Sequence, residues 1–239
     1  MSWLSLAVDE GQPAFVEGVL VRIRESFAVL TDQGTVVVGS DGVAIASSMA
    51  VCLLIPEDLD LRSLENTTVV ATGRLVGERL AVSGASSFAS RTPTRGRPTH
   101  VLQASATQGD QRPVPRVLRP EGERALMQEG VMLDLWESQV SPGKFMALAT
   151  DVDRVRQELV PRYGPSVDVI ASRWTEAFLN EVESLVMGSP TVLSFGRDIG
   201  PDLQMRVAAT LLCLPSPLAR TLDTYPPEVV ALDLLIRPA

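Results

Sequence analysis

Four aspartates are the residues of this chain whose placement best suits chemistry. Asp151 and Asp153 follow residues 145–150, an apolar run with the length of a buried strand, and Asp198 and Asp202 lie in a predicted loop after another such strand. If these strands are parallel, the four carboxylates lie near their carboxyl ends, where α/β proteins usually bind ligands. Carboxylates placed there could transfer protons or hold a hard cation. The structural alternative is that Asp151 caps a helix and Asp153 lies near the positive end of its dipole.

The sequence patterns of several well-known catalytic and metal sites are missing. There is no GxSxG or HExxH pattern, and residues 196–200 have the wrong glycine spacing for a phosphate-binding loop. The one histidine, His100, lies in a polar segment with no nucleophile beside it. Cys52 and Cys213 lie in apolar runs without CxxC spacing, which predicts two buried thiols rather than a disulfide or a metal pair. We therefore predict no cofactor and no metal, and the pattern favours a protein that is not an enzyme.

Composition limits the classes of partner. The chain has 239 residues, of which 45% are hydrophobic, enough for a full core, and its net charge is -8. An acidic surface argues against general binding to nucleic acid or to an anionic membrane. No apolar run approaches the roughly 18 residues of a membrane span, and residues 1–8 lack the basic start of a signal peptide. Lys144 is the only lysine, a bias typical of GC-rich bacterial genomes. We expect a bacterial, cytoplasmic protein with no membrane partner.

Positive charge is concentrated in residues 91–120, which are rich in Pro, Ser, Thr, Gly and Gln. This composition predicts a linker between two domains. Its six arginines, against the single acid Asp110, are Arg91, Arg95, Arg97, Arg112, Arg116 and Arg119. They suggest a basic arm that binds phosphates or an acidic partner. The alternative is a solvated linker that offsets the acidity of the rest of the chain.

Residues 1–90 have a β pattern of five or six short strands separated by turns, which predicts a small barrel or sandwich. Residues 17–38 resemble the opening of an OB-fold barrel, and residues 69–82 resemble its closing hairpin. The resemblance implies nucleic acid as the first ligand to consider, because such barrels stack bases on exposed aromatic rings.

Three phenylalanines in or beside this segment are the rings available for such stacking: Phe15, Phe27 and Phe88. Phe15 and Phe27 lie within apolar patterns, which favours a place in the core over a place on a binding surface. The barrel would then serve packing or interaction rather than base recognition.

Residues 121–239 are predicted to form an α/β domain around a β-α-β-α unit. After the strand at residues 145–150, the apolar spacing predicts a helix that Pro161 and Gly164-Pro165 close. A strand follows at residues 167–171, and Ser172 is the predicted cap of the second helix, which stops at Gly188. Further strands are predicted around residues 191–195 and 229–236, and a helix at 218–225. The apolar run 207–214 fits a buried strand, or a helix that begins nearer Asp202.

These observations predict a mixed α+β protein, with a small OB-like β-barrel (1–90), an Arg/Pro-rich linker (91–120) and an α/β domain (121–239). The leading functional hypothesis is a non-catalytic protein-binding or adaptor module with a protein partner. Two alternatives stay open: nucleic-acid binding through the barrel and the arginine-rich linker, and a carboxylate- or metal-dependent enzyme.

Overall fold

A computed structural model of the chain describes residues 2–23, 26–31, 37–38, 44–45, 50–87, 111–113, 121–138, 141 and 143–239. Helices account for 28% and strands for 44% of the described residues, which confirms the mixed α+β class. Among the described residues, no helix is both long enough and apolar enough to cross a membrane.

The described residues form fifteen strands and four α-helices. The strands are β1 Pro13–Ile23, β2 Ser26–Leu30, β3 Val37–Val38, β4 Ala44–Ile45, β5 Ala50–Leu54, β6 Thr68–Val76, β7 Arg79–Ser87, β8 Gln111–Pro113, β9 Met132–Ser138, β10 Phe145–Ala149, β11 Val167–Ala171, β12 Val192–Ile199, β13 Met205–Leu211, β14 Val230–Leu234 and β15 Ile236–Pro238. The helices are α1 Glu121–Gln128, α2 Val152–Tyr163, α3 Glu176–Met187 and α4 Ser216–Leu222, with 3-10 helices at Trp3–Leu6, Arg62–Leu64, Gly164–Ser166 and Pro227–Val229.

The largest sheet has the strand order β15-β1-β2-β5-β7-β6, and its sixth strand also pairs with β1. That additional pairing runs from Pro13 opposite Arg74 to Val19 opposite Thr68. The pairings of five strands therefore return to their starting strand. Neighbours in this ring are antiparallel, except for β5 and β7, which are parallel. The finer identification of the ring as an OB-like barrel stays a prediction.

Side-chain alternation along β1 explains why the interior of the ring is apolar and buried. Successive residues of a strand point to opposite faces. Ala14, Val16 and Leu20 are fully buried, whereas Val19 is exposed and Phe15 is partly exposed. Ala14, Val16 and Leu20 pack into one core with side chains of β2, β5, β6 and β7.

The four-stranded sheet contains the predicted β-α-β-α unit. Its strand order is β11-β10-β9-β8, and β10 and β11 are parallel and joined by α2. The predicted end of α2 at Gly164 is confirmed, whereas Pro161 does not interrupt the helix, which continues to Tyr163. A proline in the last turn removes only one helical hydrogen bond, and the helix ends where Gly164 takes a φ of +72°.

The cap of α3 also differs from the prediction. Thr175, not Ser172, is the N-cap, and its side chain accepts a hydrogen bond from the N–H of Phe178. The Ser172 hydroxyl instead bonds to the backbone of Trp174, three residues too early to cap the helix. Leu179, on the inner face of α3, is fully buried, as predicted.

The three-stranded sheet has the order β12-β13-β14 and packs against α3 on one face. Its first two strands are antiparallel, and β13 and β14 are parallel. β12 extends to Ile199, so the prediction of a loop at residues 196–201 is wrong for residues 196–199. The glycine-containing run forms a strand because each residue from Phe195 onward pairs with β13.

The end of the chain returns to the first sheet. The predicted final strand is two strands in different sheets, since β14 pairs with β13 and β15 pairs with β1. Leu235 and Ile236 lie in the same core as Val16. The division at residues 90 and 120 stays a prediction.

Candidate functional site

The candidate site is the outer edge of β12. The chain leaves α3, turns through residues 188–191, and runs back along the helix as β12. A tight turn then reverses it into β13, with the Leu203 N–H donating to the Gly200 carbonyl at 2.9 Å. In the part of the chain that the structure describes, β12 pairs with β13 alone, so it is the end strand of its sheet.

Phe195 lies in the middle of this edge strand and is 47% exposed. Its neighbour Ser194 is also exposed. A large aromatic side chain that keeps half of its surface in water forgoes much of the stabilisation that burial would bring, about 1.5–3 kcal/mol for a full phenylalanine. Because Phe195 pairs with Ala209, whose small side chain cannot cover it, the ring is left open.

Arg197 lies two residues further along β12, on the same face as Phe195, and fixes the strand to α3. Its Nε donates to Glu183 at 3.0 Å, its Nη1 to Glu176 at 2.8 Å, and its Nη2 to Asn180 at 2.6 Å. These partners lie on one face of α3, at helical spacing. Burial alone would lower the pKa of the Arg197 guanidinium, but hydrogen bonds and charge interactions with Glu176 and Glu183 outweigh it and raise the pKa.

A shallow groove of about 220 Å³ lies along the β12–β13 hairpin. Residues 194–198 line it from β12, and residues 208–210 line it from β13. A Cβ added to Gly196 would meet no atom within 4 Å, so the floor of the groove is open above this glycine. The groove can therefore take a side chain from a segment placed beside β12.

The four aspartates singled out in the sequence each have a structural contact. Asp151 caps α2 by accepting from the Arg154 N–H at 3.1 Å, and Asp153 forms a surface pair with Arg156 at 3.6 Å. Their positions after β10 are as predicted, and the capping interpretation is confirmed for Asp151.

The second pair of aspartates is not where the sequence placed it. Asp198 lies within β12, not in a loop, and pairs with Arg206 on β13 at 3.1 Å. Asp202 lies in the turn and pairs with Arg173 at 3.1 Å. Because β12 and β13 are antiparallel, the assumption of parallel strands fails here. Over the described ranges, no group of three or more His, Cys, Asp or Glu side chains is arranged to hold a metal ion.

Most of the predicted basic arm lies outside the described residues, as does His100. The arginines concerned are Arg91, Arg95, Arg97, Arg116 and Arg119. Only Arg112 is within a described element, β8, where its backbone pairs with Glu137 of β9. The basic-arm hypothesis therefore stays a prediction.

The phenylalanines of the ring divide between core and surface. Phe27 lies in the core, as predicted. Phe15 does not, because it is on the outer face of β1, where the guanidinium carbon of Arg237 lies 5.7 Å from the ring centroid. Phe88 lies outside the described residues. The described ring thus offers one partly exposed aromatic side chain, already in contact with a cation.

Both cysteines are free thiols, and they differ in environment. Cys213 is buried, as predicted, and burial, with smaller contributions from Asp9 and Glu10, raises its pKa to about 11. The prediction of a buried thiol is wrong for Cys52, which is exposed. In β5 the neighbours Val51 and Leu53 point into the core, so alternation turns Cys52 outward.

Comparison with family models, with curated proteins and with solved structures found no match for this chain in any of the three. The argument for function therefore comes from the geometry of its own surfaces.

The sequence patterns did not single out Phe195, Gly196 and Arg197, the residues at the centre of the candidate site. The run was assigned partly to a loop, because Gly, Asp and Pro are typical of turns. A signal was present, since Leu193, Phe195, Arg197 and Ile199 alternate with Ser194, Gly196 and Asp198. Period-two alternation of this kind indicates a strand with two different faces.

Proposed function

We propose that this chain is a non-catalytic protein-binding module that takes an extended segment of a partner protein at the β12 edge. The observation that carries the proposal is an eight-residue end strand with an aromatic side chain, Phe195, 47% exposed at its middle. Exposed edges with apolar side chains are aggregation hazards that proteins usually protect. Retention of such an edge is expected where a partner covers it.

Strand addition suits this surface energetically. The backbone N–H and C=O groups on the outer side of an end strand can pair with an added strand, and each such bond contributes about 0.5–1.5 kcal/mol net. Burial of Phe195 would add about 1.5–3 kcal/mol. A complex forms where the sum of these contributions exceeds the cost of association, about 4–15 kcal/mol, so binding requires pairing along most of the strand as well as burial of the ring.

The same proposal includes an OB-like barrel as the scaffold. Its support is the cyclic pairing of β1, β2, β5, β7 and β6. A closed ring has no free edge. This difference favours the three-stranded sheet as the binding surface.

The non-catalytic part of the proposal is supported by the engagement of the candidate carboxylates. Asp151 caps α2, and Asp198 and Asp202 form ion pairs with Arg206 and Arg173. A carboxylate that is committed to a cap or to an ion pair is poorly suited to act as a general base.

Nucleic-acid binding is the second candidate, favoured by the cyclic strand order, because OB-type barrels commonly bind single strands. It predicts binding of a single-stranded oligonucleotide that weakens steeply as salt rises. Equal binding at low and high salt, or no binding, would remove this candidate.

The test of the proposed function is a nuclease-treated capture experiment with the tagged full-length chain, run for three proteins. Phe195→Asp places a charge at the edge, and Val76→Asp places one at a matched exposed apolar site on β6, 42% exposed. We expect one protein to be captured by the wild type and by Val76→Asp, and lost from Phe195→Asp. Identical capture by all three chains would refute the β12 site, and capture that disappears with nuclease would favour nucleic acid.

A further inference from the structure

We infer that the segment bound at the β12 edge is a basic, extended peptide, an inference that rests on the proposed function and specifies its ligand. The first step concerns direction. The end of β12 lies near the start of α3, since the Gln204 side chain accepts from the Arg173 N–H at 2.8 Å. The start of β12 follows the end of α3 after residues 188–191. The strand and the helix therefore run antiparallel, and Phe195 lies towards the C-terminal half of α3.

The second step concerns the apolar centre of this surface. Met187, in the last turn of α3, is 48% exposed. It continues the helical stripe formed by Glu176, Asn180 and Glu183, the partners of Arg197. Phe195 shares the face of β12 from which Arg197 reaches this stripe. Two large, half-exposed apolar side chains, Met187 and Phe195, thus belong to one side of the α3–β12 pair.

The third step concerns charge. α3 carries Glu176, Glu181 and Glu183 and no basic residue, and Arg197 is the only base between residues 174 and 205. Asp198 and Asp202, within the same stretch, are paired with Arg206 and Arg173. Glu181 faces away from the edge and accepts a hydrogen bond from the Tyr225 hydroxyl at 2.6 Å. Glu176 and Glu183 against the one guanidinium of Arg197 leave one negative charge beside the edge. A lysine or arginine of the ligand would complement it, whereas an acidic segment would be repelled.

The net charge of the chain also bears on which kind of partner can bind at this edge. The chain carries a net charge of -8, so a second copy placed at this edge would bring together two acidic surfaces. A basic segment from another protein gains from the same field. Charge complementarity therefore selects a heterologous ligand over self-association.

The fourth step gives the ligand a residue pattern. Side chains of an added strand alternate between the two faces of the sheet. On the α3 face, an apolar side chain would lie beside Phe195. A basic side chain, two residues away, would lie near Arg197, where Glu176 and Glu183 together exceed the charge of that guanidinium by one. The residue between them would point to the other face, into the groove above Gly196. The expected ligand is an extended chain in which an apolar residue, a small residue and a basic residue follow one another.

The probes are three nine-residue peptides in which valine alternates with lysine, with threonine or with glutamate, each labelled for fluorescence anisotropy against the full-length chain. We expect the lysine peptide to bind at least about tenfold more tightly than the glutamate peptide at low salt. The difference should shrink as salt rises and the Debye length falls from about 10 Å near 0.1 M towards about 3 Å near 1 M.

Two variants locate the binding. Gly196→Val adds a side chain to the groove at a position where the new Cβ meets no atom within 4 Å, and valine is a good strand former. Phe195→Asp removes the apolar centre from an already exposed site. We expect either change to weaken lysine-peptide binding at least about tenfold and to leave the melting temperature near that of the wild type. The control Val76→Asp should leave binding unchanged.

Several outcomes would overturn the inference, and they are separable from failure of the proposed function. If the threonine or glutamate peptide binds as well as the lysine peptide and all depend on Phe195, the edge site stands and the basic specificity is wrong. If the lysine peptide binds equally to all variants, it binds the acidic protein without needing the β12 edge, and the inference is wrong. If no peptide binds while protein capture still depends on Phe195, only the proposed function survives. A dimer abolished by Phe195→Asp would assign the edge to a second copy and refute a basic ligand.

Discussion

Arg197 uses one nitrogen to bind both oxygens of Glu176: its Nη1 lies 2.9 Å from one carboxylate oxygen and 2.8 Å from the other. Glu176 is the first residue of α3, and Arg197 is the sixth of β12. The pair therefore fixes the edge strand to the start of the helix that covers its sheet. With Glu183 and Asn180, it holds the proposed binding edge in place.

The first prediction concerns this network. Arg197→Met keeps most of the side-chain volume and removes the charge, which leaves two partly buried carboxylates without their donor. We expect the free energy of unfolding to fall by about 1–3 kcal/mol. Urea denaturation at neutral pH measures the change.

The matched control is Arg156→Met, since Arg156 forms a single pair with Asp153, whose side chain is 88% exposed. Surface pairs at this spacing contribute about 0.3–0.5 kcal/mol. Equal losses in the two variants would contradict a structural role for the Arg197 network.

The second prediction tests the close approach of strands in the ring. A Cβ on Gly18 of β1 would lie 2.0 Å from the carbonyl oxygen of Leu30 in β2. That oxygen belongs to the backbone and cannot move without shifting the strand. We expect Gly18→Ala to destabilise the protein by about 1–3 kcal/mol, as overpacking typically does.

Gly196→Ala is the control, because the same added methyl group meets open space. Alanine there should change the free energy of unfolding by less than about 0.5 kcal/mol. If both substitutions are equally tolerated, β1 and β2 are not as close at Gly18 as the pairing indicates.

Local features of the fold were predictable where the sequence alone determines them. The apolar run of β10, the capping role of Asp151 and the buried face of α3 follow from periodicity and cap chemistry. The cap of α3 was misplaced because Ser172 and Thr175 are both good caps, and tertiary contacts decide between them. Thr175 immediately precedes Glu176, the first residue of α3, and its side chain accepts a hydrogen bond from the Phe178 N–H in the first turn.

The candidate site was not predictable, because its features are non-local. β12 forms through pairing with β13, which overrides the turn-like composition of Gly196 and Asp198. The exposure of Phe195 depends on the small Ala209 across the hairpin and on the end position of the strand. The run around Cys52 is apolar throughout, so its inward and outward faces could not be assigned before the ring was known.

The third prediction concerns pH. Asp9 accepts hydrogen bonds from the Ser216 hydroxyl at 2.5 Å and from the Ser216 N–H at 2.9 Å, and so ties the N-terminal segment to the start of α4. These bonds, the hydroxyl first, lower the pKa of Asp9 below its ordinary value of 3.8. The ionised form is therefore more favourable in the folded chain. Its stabilisation is complete above the unfolded pKa of 3.8 and is lost as pH falls through the lower folded pKa.

We expect Asp9→Asn to reduce stability by about 1 kcal/mol near pH 7, and the difference from the wild type to shrink below the unfolded pKa. Chemical denaturation over a pH series measures both. Ser216→Ala should remove most of the same pH-dependent contribution. A difference between wild type and Asp9→Asn that stays constant into the acid range would show that Asp9 does not titrate with a lowered pKa.

The fourth prediction uses the contrast between the two thiols. A thiol with a pKa of about 11 is thiolate in about one molecule in a thousand near pH 8, and Cys213 is also shielded from solvent. Cys52 is exposed and should react first. We expect a maleimide to label one cysteine per folded chain and two after unfolding in guanidinium chloride. Cys213→Ser should keep the native label, and Cys52→Ser should lose it. Fast labelling of the folded Cys52→Ser variant would mean that Cys213 is accessible, and that the packing of β13 against the ring, which buries this thiol, opens readily in solution.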